Sequence, residues 1–401
     1  MSTPAETALA IAKSLIHCPS VTPSDAGALD ALGEFLSVAG FSCNRLTFSE
    51  EGTPDVDNLV ARIGTGAPHL CFAGHTDVVP PGDESLWSHD PFSADIADGR
   101  LYGRGASDMK GAVACFAAAA IDYVATCGGE IPGTISLLIT GDEEGPAING
   151  TKKVLSWMEA ESLVPDHCLV GEPSNSEFLG ETIKIGRRGS LTGHLTVTGQ
   201  QGHVAYPHLA ANPVKGIVTA LAKLYETKLD SGSTHISPSN LEVTSIDVGN
   251  SATNIIPARA EAHFNIRFND NHDAEKLKAM LMEKIGAVFH DTRLSFTLDF
   301  APHGDAFVTK PGALDELLSE AVTALTGKTP VLSTSGGTSD ARFIKDYCPV
   351  LEFGLTSETI HKVDENATLD DLEVLTAIYR RFIAAYFETF GDRSIGDADA
   401  R

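Results

Sequence analysis

The hydrophobic pattern of the chain changes character near its middle. In the first part, His69-Leu70-Cys71-Phe72-Ala73-Gly74 and Thr134–Thr140 are continuous apolar runs closed by glycine, as expected of strands buried on both faces. Between them Lys110–Thr126 is alanine-rich and apolar nearly all round, which predicts a helix packed on a sheet rather than one lying on the surface. Strand, helix and strand at this spacing predict a βαβ unit and a mainly parallel sheet, an α/β architecture. From about Arg188 alternation replaces the unbroken runs: strands are expected at 190–198, 260–268 and 294–300, with helices at 214–229 and Ala274–Phe289 between them. Half-exposed strands in this order predict an inserted antiparallel α+β layer, ferredoxin-like in kind, over 188–303. The α/β domain is then discontinuous, 1–187 plus 304–401. A helix at 311–326, a Gly/Ser/Thr-rich loop at 333–339 and a closing helix over Leu369–Phe390 complete it, and the polar stretch 391–401 is expected to fray.

Length and composition fit this plan. The 401 residues, 42% of them hydrophobic, suffice for about two to three domains with cores of their own. A formal charge of −25 without any Lys/Arg block argues against nucleic acid or an anionic membrane as partner, because both demand a basic footprint. An anionic small molecule must then be caught by a few locally placed cations. The opening Met1-Ser2-Thr3-Pro4-Ala5-Glu6 has no basic run, and the apolar stretch that follows is interrupted by Lys13, so neither a signal peptide nor a membrane span is expected and the protein is placed in the cytoplasm. The seven cysteines are scattered with no Cys-x-x-Cys pair, which suggests small core residues rather than a disulfide framework or a thiolate metal site.

Candidate chemistry gathers just past the apolar strands, where open α/β sheets place their ligands. His75 and Asp77 follow the first strand and, two apart, point to one side, so the carboxylate could orient a metal-bound imidazole; an ordinary strand-end turn is the competing reading. Asp108 precedes the buried helix and could equally be its N-cap. Asp142-Glu143-Glu144 puts three carboxylates after the second strand, a repulsive arrangement unless something positive lies among them; a solvated acidic turn is the alternative. Glu172 follows another apolar strand, and His361 supplies a second imidazole late in the chain. Together these form a mixed N/O donor set without thiolates, suited to zinc or a similar divalent ion in a hydrolytic site, and a shared carboxylate would favour two ions.

The segments His75-Thr76-Asp77, Gly103 to Gly111, Gly141 to Gly145, Gly171-Glu172-Pro173 and Ile360-His361-Lys362 resemble the five metal-site motifs of the M20 family of dinuclear zinc peptidases and deacylases. The likeness runs from about Ala5 to Phe387, and the strings Trp87 to Phe92, Gly186 to Ser190, Gly202 to Pro207 and Ser335 to Phe343 are similar to its desuccinylase branch. Two departures are visible: Ala112 stands where that branch often has Gly, and Ser357 where it commonly has Asn. The resemblance implies two Zn²⁺ per subunit, replaceable by Co²⁺, with His75, Asp108 and Glu172 on one ion and Asp108, Glu144 and His361 on the other. It implies Asp77 as the group orienting His75, Glu143 as general base, and Arg187, Tyr206, Asn254, Arg267, Gly337 and Thr338 around the substrate. The implied reaction is hydrolysis of N-succinyl-LL-2,6-diaminopimelate; an acetylornithine deacetylase or a metallo-carboxypeptidase of the same family is the runner-up, and a non-catalytic binding protein is disfavoured by the presence of every ligand and the base. An exposed strand edge in the inserted layer predicts a homodimer, and His203 resembles a family residue that reaches the neighbouring subunit's site to steady the oxyanion.

Overall fold

The computed structural model describes residues 2–301 and 304–391, so the expected boundary at 303 and the polar stretch after 391 lie outside the described residues. The chain divides into two compact units, one of Met1–Ile185, Thr309–Ser333 and Ser339–Arg401, the other of Gly186–Val308 and Thr334–Thr338. The second unit therefore takes part of the Gly/Ser/Thr-rich loop as well as the inserted stretch.

The first unit is built on an eight-stranded mixed sheet in the order Ser42–Phe48, Val56–Gly64, Thr134–Thr140, His69–His75, His167–Val170, Val350–Glu352, Thr182–Lys184, Val331–Ser333. Its central strands are parallel, whereas the Ser42–Phe48 and Val56–Gly64 strands run antiparallel at one side. Leu70 pairs with Ile135 and His75 with Thr140, so the two central strands end level and bring the residues after them to one edge. Lys110–Thr126 is apolar all round because it is covered on several sides: the sheet lies beneath it, and the helices Pro4–Ile16 and Leu369–Phe390 flank it. Phe72 of the sheet stacks on Phe116 of this helix at 4.3 Å, and Tyr379 closes edge-on against both at 5.9 and 5.5 Å. Each such buried ring contributes on the order of 2 kcal/mol through the apolar surface removed from water.

Two glycines let this core reach the site. A Cβ at Gly74 would lie 2.4 Å from Met109 Cε, and one at Gly171 would meet Phe72 Cζ at 2.4 Å and Met109 Cε at 2.8 Å. Only glycine allows both strand ends to close on Met109, the neighbour of Asp108.

The second unit is a four-stranded antiparallel sheet in the order Asn240–Asp247, Arg259–Phe268, Gly189–Thr198, Ser295–Phe300. Helices Pro213–Tyr225 and Ala274–Phe289 bury its inner face around Leu191, Leu195, Phe264, Ile266, Leu281 and Ile285. The strand Asn240–Asp247 was absent from the sequence-based expectation. Its pairing with Arg259–Phe268 slips between Val243 and Ser245, and that bulge breaks the two-residue period on which strand reading depends. No helix among the described residues is long and apolar enough to cross a membrane.

Candidate active site

Seven of the expected side chains meet at the level ends of the central strands. His75 closes its strand with the imidazole 1% exposed. Its Nδ1–H donates to the main-chain carbonyl of Asp77 at 2.8 Å, and the Asp77 carboxylate lies 3.6 Å away. A carbonyl only accepts, so this bond fixes the tautomer and leaves the Nε2 lone pair facing Asp108 Oδ1 at 3.4 Å and Glu172 Oε1 at 3.7 Å. The Asp77 carboxylate also accepts the backbone N–H groups of Glu143 at 3.3 Å and Glu144 at 3.1 Å, and so sets the turn that carries both. Asp142 serves the same loop from the other side, accepting from Ile148 at 2.8 Å and Asn149 at 2.9 Å. The three consecutive carboxylates thus divide into one that folds the loop and two that face the site.

Asp108 does not cap the buried helix. The N-cap position is Met109, with no side-chain capping bond, and the Asp108–Met109 peptide is cis. The Asp108 carboxylate instead lies between the imidazoles, Oδ1 toward His75 and Oδ2 3.3 Å from His361 Nε2. His361 Nε2 also lies 2.8 Å from Glu144 Oε1, and the residue is held in the left-handed region at φ 60°.

This arrangement concentrates negative charge where water is excluded. Although burial pulls the other way, the neighbouring carboxylates of Asp108, Asp77, Glu172 and Glu143 raise the His75 pKa well above its usual value. Hydrogen bonds to Asp108 and Glu144 push His361 up to about 10. Burial pushes Glu143 up to about 8, with Asp340, Glu144 and Asp108 adding to it and His75 opposing. Acceptors facing acceptors need a positive charge between them, either a proton on each ring or a cation. His75 Nε2 and Asp108 Oδ1 are buried without a hydrogen-bond partner of good geometry, and two sets of donor atoms, His75–Asp108–Glu144 and His75–Glu143–Glu172, converge within 4.8 Å. The residues therefore fit a divalent metal ion by their chemistry and by their unmet coordination.

The remaining candidates belong to the second unit. Arg187 is buried, and its Nη1 donates to the Gly337 carbonyl at 3.0 Å. Gly336, at φ 107°, admits this approach, since a Cβ there would stand 2.7 Å from that nitrogen. Thr338 ends the same short segment. Gly202–His203 pairs with Ile255–Ile256, the Val204 N–H donates to the Asn254 carbonyl at 3.1 Å, and the rings of His203 and Tyr206 lie 5.7 Å apart, so His203, Tyr206 and Asn254 form one exposed corner. Arg267 stands opposite Ser190 and Asn240 on the polar face of the sheet. Sequence reading missed Arg104 and Glu365, a buried ion pair behind Asp108; Arg104 lies within the Gly103 to Gly111 segment already singled out, but nothing local pairs it with Glu365, four residues past His361.

Two imidazoles and a fan of carboxylates at the strand ends of an open α/β sheet define a centre of the metallohydrolase kind. The chain belongs to the peptidase family M20/M25/M40, whose model matches residues 71–385. It is 58% identical over 387 residues to the succinyl-diaminopimelate desuccinylase of Rhodopseudomonas palustris strain TIE-1, covering 96% of this chain and 99% of that one. It is 56% identical over 382 residues to the enzyme of the same name from Methylorubrum populi, covering 95% and 98%. Among solved structures, aminopeptidase PepT from Bacillus cereus superposes with a TM-score of 0.76 at 18% identity, covering 95% and 98%, which shows the shared fold.

Proposed function

We propose that the chain hydrolyses the amide bond of N-succinyl-LL-2,6-diaminopimelate, releasing succinate and LL-2,6-diaminopimelate on the route to diaminopimelate and lysine. The observation that carries this reading is the 55–58% identity, over nearly the full length, to relatives named for that reaction. The site geometry supports hydrolysis as the chemistry.

We assign His75, Asp108 and Glu172 to one ion and Asp108, Glu144 and His361 to a second, with Asp108 shared, and we read the ions as zinc. Cobalt should substitute, because N/O donors without thiolate do not select sharply between the two. Bound there, such ions would polarise the acyl carbonyl and acidify the attacking water. Glu143 accepts the proton from that water and returns it to the leaving amine, the two halves of one exchange. Asp77 holds the Glu143–Glu144 turn, while its own carbonyl keeps His75 in the tautomer that presents Nε2. We assign recognition of the substrate carboxylates to Arg187 and Arg267, whose planar forks pair bidentately with such groups, with Tyr206, Asn254, Gly337 and Thr338 supplying further polar contacts. We also propose a homodimer, supported by the edge strand Asn240–Asp247 and by the exposed apolar side chains of Val218, Tyr225 and Ile246, with His203 steadying the oxyanion of the partner's site.

The test is an acyl panel assayed with zinc-loaded and with chelator-stripped protein. Succinate should be released from N-succinyl-diaminopimelate only by the loaded form, restored when metal is returned. Turnover of N-acetylornithine or a dipeptide in preference to the succinyl substrate would overturn the assignment.

A further inference from the structure

One buried ion pair has no part in the mechanism so far. Arg104 Nη1 meets Glu365 Oε2 at 2.6 Å, with side chains 2% and 0% exposed. The pair closes one end of a small ladder: strand Arg100–Tyr102 runs antiparallel to Asn366–Thr368, Arg104 follows the first and Glu365 precedes the second, and the Gly103 N–H donates to the Glu365 carbonyl at 2.9 Å.

Both partners then reach past the ladder into the candidate site. Glu365 Oε1 accepts the backbone N–H groups of Ser107 at 3.0 Å and Asp108 at 3.1 Å. Arg104 Nη1 donates to the carbonyl of Lys362 at 3.2 Å, and its guanidinium lies over the Trp87 ring at 5.1 Å from the centroid. One ion pair thus grips the main chain at Asp108 and, on the far side, the residue directly after His361. A buried pair of charges is weak evidence for stability, because desolvation offsets its attraction and apolar residues would fill the same volume. What apolar residues could not do is hold these backbone groups.

The two halves of the donor set depend on this grip unequally. His75 and Glu172 follow directly from the central strands His69–His75 and His167–Val170. His361 has its side chain 47% exposed and sits in a loop at φ 60°, so the placement of its imidazole depends on whatever fixes that loop.

We propose that Glu365, braced by Arg104, is a positioning residue that fixes the main chain of Asp108 and of the His361 loop relative to each other, and thereby sets the affinity of the ion held by Asp108, Glu144 and His361. The ion on the His75 and Glu172 side shares Asp108 but takes its other two donors from the sheet, so it depends on this grip less. The inference rests on the assignment of these residues as ligands.

The experiment is titration of metal-free protein with Co²⁺, followed by heat and by the visible absorption of the bound ion, with no assay of activity. The wild-type protein should take up two ions in resolvable steps. Glu365→Gln should weaken the second step by about 10- to 100-fold, the range for groups that orient a ligand, and the first, which shares Asp108, by markedly less, with the larger change of absorption band on the second ion. Should that variant fail to fold, Arg104→Met combined with Glu365→Leu removes both charges and the acceptor oxygen together and should show the same split. Wild-type protein that takes up no second ion would overturn the ligand assignment, and the proposal with it. Two wild-type steps that persist unchanged in the variants, or that weaken equally as the melting temperature falls, would overturn the proposal alone and leave the ligand assignment standing.

Discussion

Asp77→Asn isolates what a carboxylate behind the site contributes to it. The side chain is 0% exposed and accepts two backbone N–H groups, those of Glu143 and Glu144, at 3.3 and 3.1 Å. Asparagine has nearly the same shape but one acceptor oxygen, so its NH₂ must face one of the two donors and leave it unsatisfied. A buried donor stranded in this way costs about 1–3 kcal/mol, which amounts to about five- to 150-fold if it is expressed wholly as displacement of the turn. His75 keeps its own bond to the Asp77 carbonyl, so the imidazole tautomer survives the substitution. The loss should therefore fall on kcat, through Glu143, and on the ion that Glu144 helps to hold, with KM little changed because none of the residues assigned to substrate recognition is touched. Steady-state kinetics of zinc-loaded protein and competition against a chromophoric chelator measure the two effects. Wild-type kcat together with wild-type metal affinity in Asp77→Asn would show that the carboxylate does not hold the turn in place.

His69 gives a pH dependence remote from the metal donors. Its Nε2 lies 2.7 Å from Ser136 Oγ, and burial, opposed by Asp166 and helped by Arg62, pushes its pKa down to about 4 from an ordinary 6.5. Above pH 6.5 the ring is neutral in both folded and unfolded chains; as pH falls toward 4 the unfolded chain takes up a proton that the folded one refuses, and stability drops by up to about 3 kcal/mol. Urea midpoints of wild type and His69→Asn should converge across that window, and parallel slopes would exclude the assignment. For the dimer, co-expressed Glu143→Gln and His203→Ala chains, each nearly inactive alone, should regain part of the wild-type activity in isolated mixed dimers, since one of the two sites then carries neither defect. Mixed dimers that stay inactive would show that His203 does not act across the interface.

The parts of the fold legible in the sequence were those whose burial leaves an unbroken pattern. Thr134–Thr140 is buried along its whole length and Lys110–Thr126 on every face as far as Ala120, and their observed bounds are the expected ones. Elements with one wet face and an irregularity, such as Asn240–Asp247 with its bulge, carry too little period to be read. Of the side chains that meet at the site, His75, Glu143, Glu144 and Glu172 stood out as residue types placed after apolar strands, whereas Asp108 could equally have been a helix cap and His361 was only a second imidazole late in the chain. What was not legible is the support behind them: that the main-chain carbonyl of Asp77 rather than its carboxylate receives His75 Nδ1–H, that Asp142 folds a loop, and that Glu365 reaches back to the Asp108 N–H. Backbone acceptors have no residue identity, and a contact between distant segments has no local period.

The role proposed for Glu143 distinguishes a site that only holds metal from one that also hydrolyses. In zinc-loaded protein, Glu143→Gln keeps the side chain's size and removes its capacity to take a proton. Its kcat on N-succinyl-diaminopimelate should fall by about 10²- to 10⁴-fold, the usual weight of a general base, while the metal content and its affinity stay within a few-fold of wild type. Near-normal turnover, or loss of the metal along with the activity, would contradict the role assigned to this carboxylate.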